Sequence, residues 1–319
     1  MEKLLIEEFG INPKEVVKIN GYDNLNYLIK TNSEKYILKT YDDLSLIDVI
    51  RAETKALLFL NNNLYPKPIP FLNGENVRII EIKGSLKICR LLSYLEGRFL
   101  GEINQTKEII RSFGKSLAQL NKSLLHWTDI HIKSRQLEWD MQQYAVSKNY
   151  LNEISSKKAR KIIHYYMNQY EENVVPYFIE LRKSTIHNDA NNWNILFKDN
   201  GVSGIIDFGD ISYSHLINEL AIAISYTCFN KEKPLEWALV LLESYNEILP
   251  LELKEVEVLY YSVAMRLCIS ISNSNHYQKL YPDNKYISIS QKPAIDLLWK
   301  WIKINPIEAE NKFKEAIGI

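Results

Sequence analysis

His187-Asn-Asp-Ala-Asn-Asn-Trp-Asn194 and the later Ile206-Asp-Phe-Gly-Asp210 are the two most informative segments of this 319-residue chain. The first is rich in short side chains that carry carboxylate, amide or imidazole groups. The second places two carboxylates around a phenylalanine and a glycine. Short polar side chains of this kind favour turns and binding loops over regular structure. The two segments together therefore predict a functional site.

The residues between these segments predict a β-hairpin. Asn200-Gly201 lies between two apolar runs. Asn-Gly is the strongest two-residue hairpin signal, because a type I′ turn needs positive φ at both central positions. Pairing outward from that turn places Phe197 opposite Gly204 and, at the end of the hairpin, Asn194 opposite Asp207. The hairpin is thus predicted to bring an amide and a carboxylate side by side.

An amide oxygen beside a carboxylate forms a hard, oxygen-only site, which suits Mg²⁺ better than zinc or copper. Asn194 and Asp207 are therefore candidate Mg²⁺ ligands, and Mg²⁺ in turn favours phosphates. Phosphoryl transfer needs alignment, charge neutralisation and a carboxylate that accepts the proton of the acceptor hydroxyl. Asp189 is the candidate base. The alternative is that the segment around His187 is a polar turn and that Asp207 caps a helix.

The first third of the chain is predicted to form an antiparallel sheet with one helix. The β-rich runs, separated by turn residues, lie at 16–19, 27–29, 36–38, 77–80 and 86–92. Apolar residues at helical spacing predict a helix over 47–60, which asparagines and prolines then end.

Glu53 occupies the apolar stripe of that helix, where an unpaired carboxylate would be costly. Lys39 ends a predicted strand just upstream. A strand lysine paired with a helix glutamate is the arrangement with which kinases hold α- and β-phosphates. We therefore expect Lys39 and Glu53 to pair at a nucleotide site. The alternative is that both are solvated residues at the edges of their elements.

The loop at 20–26 carries one glycine and matches neither GxGxxG nor a Walker A motif. Its backbone amides and the side chains of Asn24 or Asn26 are candidates for a phosphate contact, although a turn between strands needs no function. Ser93 and Leu95, where the β-rich part ends, are the other predicted nucleotide contacts.

After residue 95 the pattern changes to long helices. They are predicted at 107–125, 137–151, 157–182, 215–229, 235–247, 254–274 and 292–317. A β-rich first third followed by a helical remainder predicts an α+β protein of two lobes. The nucleotide-binding lobe is expected at 1–95, and a helical lobe with the catalytic loop and the acceptor site at 96–319.

Composition limits the classes of partner. Lys and Arg number 39, as do Asp and Glu, so no global field favours nucleic acid or a membrane surface. The three cysteines form no CxxC pair, which argues against a disulfide framework or a zinc site. The start of the chain lacks signal-peptide features, and no apolar run reaches membrane-spanning length. We expect a cytoplasmic protein with a small-molecule ligand and no nucleic-acid, membrane or protein partner.

His187-x-Asp189 with Asn194, followed by Ile206-Asp-Phe-Gly-Asp210, resembles the signature of the aminoglycoside phosphotransferase and choline kinase superfamily, relatives of protein kinases. The resemblance is closest to the hydroxylysine kinase branch and covers nearly the whole chain. It is extended by the segments Glu219-Leu-Ala-Ile-Ala223, Arg266-Leu-Cys-Ile-Ser270 and Tyr281-Pro-Asp-Asn-Lys-Tyr-Ile-Ser288.

This resemblance implies a two-lobed protein-kinase-like fold, with an antiparallel N-terminal lobe that holds one helix and a mainly helical C-terminal lobe. Carried over residue by residue, it implies Asp189 as the base, Asn194 and Asp207 as Mg²⁺ ligands, Lys39 with Glu53 as the phosphate-anchoring pair, and His187 as a support for the loop. Asn188 departs from the glycine common in His-Gly-Asp. That branch is associated with GTP, whereas the wider superfamily mostly uses ATP, so the resemblance leaves both donors open.

No long segment separates Gly209 from the next helical pattern, which leaves little room for a peptide-binding activation segment. The expected acceptor is a small molecule with a hydroxyl, such as an amine or a hydroxylysine-like hydroxy-amino acid. A pair of acidic side chains could bind the ammonium group of such an acceptor, and an arginine could bind its carboxylate. The candidate pocket residues are Trp139, Asp140, Trp193, Asp210 and Arg266, for which plain packing is the alternative.

Two other functions stay open. An aminoglycoside phosphotransferase has the same fold, but the balanced charge gives no sign of the acidic cleft that a polycationic drug needs. A catalytically silent nucleotide-binding module is the third possibility. The joint presence of Asp189, Asn194, Asp207 and Lys39 argues against it.

Overall fold

The N-terminal part of the chain forms an antiparallel sheet, because β-branched and aromatic runs alternate there with turn residues. The computed structural model describes residues 1–19, 25–284, 287 and 289–319. The elements of this part are α1 Glu2–Phe9, β1 Glu15–Ile19, β2 Leu25–Lys30, β3 Lys35–Tyr41, α2 Ile47–Leu60, β4 Pro68–Ile69, β5 Arg78–Ile82 and β6 Ser85–Ser93. The strand order is β1-β2-β3-β6-β4, with β5 also paired to β6.

Helices dominate the rest of the chain. Its elements are β7 Arg98–Phe99, α3 Lys107–Leu124, α4 Ile130–Lys133, α5 Tyr144–Asn149, α6 Lys157–Asn173, β8 Lys183–Ile186, β9 Ile195–Lys198, β10 Gly201–Ile205, β11 Ser212–His215, α7 Leu216–Thr227, α8 Pro234–Asn246, α9 Leu253–Leu280, α10 Gln291–Trp301 and α11 Pro306–Ile317. The short strands pair as β10-β9-β7 and as β11-β8. The predicted α+β class is confirmed.

Helix α2 joins the two parts of the molecule. Its buried residues Ala52, Ala56 and Leu57 belong to the same apolar core as Phe113 of α3 and the buried residues of α7 and α9. A separate cluster around Phe9 packs α1 against the sheet. The sheet is therefore attached to the helical part through α2, beside which the predicted site lies. The division into functional lobes at residue 95 stays a prediction.

Four of the predicted helices differ from the structure by more than two residues at an end, and proline explains two of them. One of the four, predicted at 254–274, continues to Leu280. The predicted helix 157–182 ends at Asn173, before a 3₁₀ turn at Val175–Tyr177 that contains proline. The predicted helix 292–317 is two helices, and the second begins at Pro306. Proline lacks the N–H that a helix interior needs and is well placed in a first turn. The predicted helix 137–151 is only α5, between two 3₁₀ turns.

The predicted hairpin exists, but its register is different. The central residues are Asp199 and Asn200, with φ of 51° and 63°, and a register shift falls inside β10. Ile206 donates its N–H to the Asn194 carbonyl at 2.9 Å. Asn194 therefore faces Ile206, and the predicted pairing with Asp207 is wrong by one residue. Asp and Asn both tolerate the left-handed region, so the turn could form one residue earlier, and the bulge recovers part of the offset.

Within the described part of the chain, no helix is both long enough and apolar enough to cross a membrane.

Candidate active site

The loop after β8 holds Asp189 by both carboxylate oxygens. Oδ1 accepts a hydrogen bond from Arg266 Nη2 at 3.1 Å. Oδ2 accepts bonds from the Nδ2 atoms of Asn191, at 2.8 Å, and Asn194, at 2.7 Å. The side chain is still 23% exposed. The carboxylate is thus oriented by its neighbours and remains within reach of a substrate.

The surroundings of Asp189 raise the pKa of its carboxyl above the ordinary value. Burial is the main cause, and the nearby Asp210 carboxylate acts in the same direction, while Arg266 opposes both. A carboxylate with a raised pKa accepts a proton near neutral pH more readily than an ordinary aspartate does. This environment is suited to a general base.

His187 ties the loop to the segment before Asp207. Its Nδ1 accepts the Asp189 N–H at 3.2 Å, so Nε2 carries the proton and donates to the Ile206 carbonyl at 2.9 Å. The ring packs edge-on against Phe208, and burial lowers the pKa of His187 to about 4. A neutral, fully bonded ring matches the supporting role that was expected for His187.

Asn188 occupies the position where the related signature has glycine. Its φ is 66°, in the left-handed region that glycine adopts freely and asparagine tolerates. The side chain is buried, and both of its polar atoms lack partners among the described residues. Backbone geometry therefore accounts for glycine in the signature and for asparagine as a permitted replacement.

Glu219 of α7 anchors the same loop and was not predicted as a site residue. Its carboxylate accepts the N–H groups of His187, at 2.6 Å, and Asn188, at 3.2 Å, together with Asn121 Nδ2 at 3.1 Å. Burial raises the pKa of Glu219 to about 7. The signal in the sequence was an acidic residue inside an otherwise apolar run, the same signal that drew attention to Glu53.

Asp207 takes Lys39 as its partner. Lys39 Nζ lies 2.7 Å from Asp207 Oδ1, and the Asp207 side chain is 52% exposed. The lysine lowers the pKa of Asp207 to about 2. Burial alone would lower the pKa of Lys39, but the Asp207 carboxylate raises it overall. The two residues bring the N-terminal sheet and the Asp207 turn together.

The predicted pairing of Lys39 with Glu53 is wrong. The Glu53 carboxylate bonds instead to Arg90 Nη2 at 2.6 Å and lies 3.5 Å from Arg135 Nη1. Arg90 of β6 stands opposite Lys39 of β3 in the sheet, and its buried guanidinium reaches the glutamate. The expectation that Glu53 needs a cation was right, but two arginines that were not predicted supply it.

Arg135 also reaches the Asp207 turn. The same Nη1 atom that faces Glu53 donates to the Ile211 carbonyl at 3.1 Å. Its charge lowers the pKa of Asp210, which burial raises overall. The turn at 207–210 is therefore tied to the N-terminal part at both ends, through Lys39 and through the Arg135–Glu53 contact.

The oxygen atoms of Asn194 and Asp207 suit a magnesium ion. Asn194 Nδ2 donates to both the carbonyl and the carboxylate of Asp189, so its Oδ1 is the atom left for another partner. The Asp207 side chain is 52% exposed and follows Ile206, the residue that faces Asn194. No group of three His, Cys, Asp or Glu side chains in the described ranges forms a metal site. An ion held here would take further oxygen ligands from phosphates or water.

The predicted nucleotide contacts are partly placed by the structure. Asn26 stands directly opposite Lys39 in the β2–β3 pairing, and its buried Oδ1 has no partner among the described residues. Asn24 lies outside the described residues, as do 285, 286 and 288 of the C-terminal segment that carried part of the resemblance. The contact of Asn26 with a phosphate stays a prediction.

The other two predicted nucleotide contacts lie where the sheet meets the helical part. Ser93 exchanges two hydrogen bonds of 2.8 Å with the backbone of Lys67. Leu95 packs so closely against β10 that a Cβ on Gly204 would stand 2.8 Å from its Cδ1. Their contact with a nucleotide stays a prediction.

Of the five predicted acceptor residues, the structure brings three close to the base. Arg266 bonds Asp189 and donates to the Trp139 carbonyl at 2.9 Å, and Asp210 is near enough to raise the pKa of Asp189. The other two, Asp140 and Trp193, have different surroundings.

Asp140 and Trp193 have structural contacts, and their predicted contacts with a substrate stay predictions. Asp140 is 3% exposed and accepts bonds from Gln142 and Ser214, because it caps the 3₁₀ turn that follows. The Trp193 ring packs against Phe99, with ring centroids 5.8 Å apart. The acidic pair expected from Asp140 and Asp210 is not formed, and Asp189 takes the place of Asp140 beside Asp210.

Comparison with known proteins agrees with this geometry. A family model described as "Phosphotransferase enzyme family" matches residues 15–256. The hydroxylysine kinase of Xenopus laevis is 29% identical over 329 aligned residues, which cover 94% of this chain and 87% of that protein.

Solved structures show the same fold. The amicoumacin kinase hAmiN, in complex with AMP-PNP, Ca²⁺ and Ami, superposes with a TM-score of 0.70 at 14% identity, covering 95% of this chain and 93% of that chain. A microcompartment-associated aminopropanol kinase gives a TM-score of 0.66 at 17% identity, covering 95% and 96%. At these identities the likeness establishes the protein-kinase-like α+β fold alone.

Proposed function

This chain belongs to the phosphotransferase enzyme family and is a small-molecule kinase; we propose that it transfers the γ-phosphoryl group of a nucleoside triphosphate to a hydroxyl of a small amine or hydroxy-amino acid resembling hydroxylysine. The observation that carries the proposal is Asp189, a carboxylate fixed by three donors and still exposed to the cleft. The proposal also draws on the similarity to hydroxylysine kinase.

Asp189 acts as the base in this proposal. Its Oδ2 already accepts two hydrogen bonds and its Oδ1 only one, so Oδ1 keeps a lone pair for the acceptor hydroxyl. The hydroxyl proton moves to Asp189 as the acceptor oxygen bonds to the γ-phosphorus. The bond from that phosphorus to the bridging oxygen breaks, and the nucleoside diphosphate leaves.

The phosphate side of the site is assigned to Lys39, Asn194 and Asp207. Asn194 Oδ1 and the Asp207 carboxylate would hold Mg²⁺, which supplies charge neutralisation to the phosphates when bound. Lys39 is the proposed phosphate contact, which its ion pair with Asp207 supports. Asn26, opposite Lys39 in the sheet, is the proposed side-chain contact from the neighbouring strand. ATP and GTP are both retained as donors.

The acceptor side favours a small cation. The Asp210 carboxylate is close enough to Asp189 to raise the pKa of Asp189, and a cationic group on the acceptor would relieve that repulsion. Only a short turn and β11 separate Asp207 from α7, which leaves no room for a peptide-binding segment. A cytoplasmic location and the absence of nucleic-acid, membrane or protein partners stay predictions of the sequence.

The test is phosphoryl transfer by the purified protein from ATP or GTP, with Mg²⁺, to 5-hydroxylysine, homoserine, ethanolamine, choline and an aminoglycoside. Lysine, which lacks only the hydroxyl, is the matched control for hydroxylysine. We expect transfer to hydroxylysine or a close relative and none to lysine. Transfer to the aminoglycoside alone would support the antibiotic-modifying alternative, and nucleotide binding without transfer to any acceptor would support the silent module.

A further inference from the structure

Arg266 is a buried cation in the middle of an apolar helix. It lies in α9 with only 1% of its surface exposed, between the buried residues Met265 and Leu267. The guanidinium lies 5.8 Å from the ring centroid of Trp139 and 5.7 Å from that of Tyr226. Its environment is therefore low in dielectric and shielded from water, apart from the side that meets Asp189.

Stability alone does not account for this arginine. Its Nε has no hydrogen-bond partner in the described part of the chain, and an unsatisfied buried donor costs free energy. Replacing a buried ion pair by well-packed apolar residues is often neutral or stabilising. A guanidinium in this position is therefore better explained by what it does to Asp189 than by its contribution to folding.

The geometry also argues against the role first expected for Arg266, a bidentate contact with a substrate carboxylate. Nη1 is bonded to the Trp139 carbonyl, and Nη2 to Asp189 Oδ1, with Tyr226 Oη at 3.4 Å. Both terminal nitrogens thus already have protein acceptors. Arg266 is also only 1% exposed and its unpaired Nε is buried, so no paired edge of donors is open to a substrate carboxylate.

We propose that Arg266 is a positioning residue for the base. Three donors define the plane of the Asp189 carboxylate: Asn191 and Asn194 on Oδ2, and Arg266 on Oδ1. Among the described residues, Arg266 is the hydrogen-bond donor to Oδ1, the oxygen that keeps a lone pair for the acceptor hydroxyl. Because the same guanidinium holds the Trp139 carbonyl, it fixes Asp189 relative to the backbone at Trp139, one of the predicted acceptor residues. This inference rests on the proposed function.

The test compares two acceptors that differ only in the carboxylate, 5-hydroxylysine and its decarboxylated analogue 1,5-diaminopentan-2-ol. Arg266→Gln is expected to lower kcat about 100-fold with both acceptors and to leave both KM values within about threefold, because positioning of a general base affects the chemical step. Guanidinium ion added to Arg266→Ala protein is expected to restore part of kcat, whereas equal sodium chloride is not. Arg182→Gln, which removes an arginine paired with Glu255, is the matched control and should leave kcat unchanged.

A rise in KM for hydroxylysine alone, with unchanged kcat, would make Arg266 a substrate-carboxylate ligand and overturn the proposal. Arg266→Lys keeps the buried charge and serves if the glutamine variant does not fold, with the same kcat loss expected for both acceptors. Crystal structures of the wild-type and variant proteins separate this inference from the proposed function. The Asp189 carboxylate should rotate in the variant even if neither acceptor is a substrate, and an unchanged orientation would refute positioning.

Discussion

The base loop at 187–194 and the turn at 207–210 lie on the same hairpin end but are held in different ways. The base loop is largely buried apart from Asp189 and residues 191–193, which are partly exposed, and its anchors, Glu219 and Arg266, come from α7 and α9 of the helical part. The turn is half exposed at Asp207, and its charged partner, Lys39, comes from the N-terminal sheet. The two are linked by the bond from His187 to the Ile206 carbonyl and by the bond from the Ile206 N–H to the Asn194 carbonyl.

This difference indicates which part of the site is organised before a nucleotide binds. The base is oriented by contacts within one apolar core, so its geometry does not depend on where the sheet stands. The turn is positioned by Lys39 of the sheet and by Arg135, which also contacts Glu53 of α2. A movement of the sheet or of α2 would therefore first displace the proposed metal and phosphate ligands. Removing anchors of the base loop should therefore impair the chemical step, and removing anchors of the turn should impair the use of Mg²⁺-nucleotide.

The largest expected effect comes from the base itself. Asp189→Asn removes the proton acceptor, and kcat for acceptor phosphorylation is expected to fall about 10³-fold, or about 4 kcal/mol in activation free energy. Steady-state kinetics with a saturating acceptor measure it. Asp199→Asn, in the hairpin turn next to the site, is the matched control. A kcat for Asp189→Asn equal to that of the control would remove Asp189 from the role of base.

The second effect is on stability in acid. Burial lowers the pKa of His187 to about 4 from an ordinary 6.5, so the unfolded chain takes up this proton first as the pH falls. The contribution of neutral His187 to the free energy of unfolding is fully present above pH 6.5. Its loss between pH 6.5 and pH 4 is expected to reduce the free energy of unfolding by about 3 kcal/mol. Denaturant titrations of wild-type and His187→Gln protein measure this loss. The difference in free energy of unfolding between the two proteins should become smaller as the pH falls.

His215 provides the control for that titration. Burial lowers the pKa of His215 to about 4 as well, but its ring bonds to the Phe178 carbonyl, away from the base loop. His215→Gln should show the same trend in stability and leave kcat unchanged, whereas His187→Gln should lower kcat. Equal kcat values in the two variants would mean that His187 does not support the loop.

The third effect tests the anchor in α7. Glu219→Gln keeps the shape of the side chain but presents an amide to the N–H groups of His187 and Asn188, and the loop should shift. We expect kcat to fall about 30-fold, near 2 kcal/mol, with nucleotide affinity unchanged. Glu255→Gln, at an equally buried glutamate bonded to Arg182, should leave kcat unaltered. Loss of nucleotide affinity with normal kcat would contradict the comparison.

The smallest effect concerns the turn. Arg135→Gln removes the contacts with Glu53 and the Ile211 carbonyl, and kcat/KM for the nucleotide is expected to fall about tenfold, or about 1.4 kcal/mol. Arg51→Gln changes an exposed arginine of α2 and is the matched control. If Arg135→Gln altered only the acceptor KM, the arginine would belong to the acceptor side.

Local patterns in the sequence were sufficient for much of the fold. Apolar spacing gave α2 at its observed limits, 47–60, and α3 to within one residue. The four-residue strands β8 and β11 are too short for periodicity to reveal and form only because the chain pairs with itself across 26 or more residues.

Site residues were predictable where residue type and local pattern identify them. They were less predictable where contacts between segments distant in the sequence determine their partners. A carboxylate in an apolar stripe signalled that Glu53 needs a cation, but the cation depends on strand pairing, which puts Arg90 opposite Lys39. The predicted hairpin register was wrong because Asp199-Asn200 and Asn200-Gly201 can both form the central pair of a two-residue turn, and tertiary packing selects the first. Glu219 was missed as a site residue because its partners are backbone N–H groups 31 and 32 positions away.

The most direct test of the division of labour between the two regions is equilibrium binding of Mg²⁺-nucleotide to Asp189→Asn and Asp207→Asn proteins. We expect affinity within about threefold of wild type for Asp189→Asn, and at least about tenfold weaker binding for Asp207→Asn, because only Asp207→Asn removes a proposed metal ligand. Equal weakening in both variants, or wild-type affinity in Asp207→Asn, would contradict this division of labour.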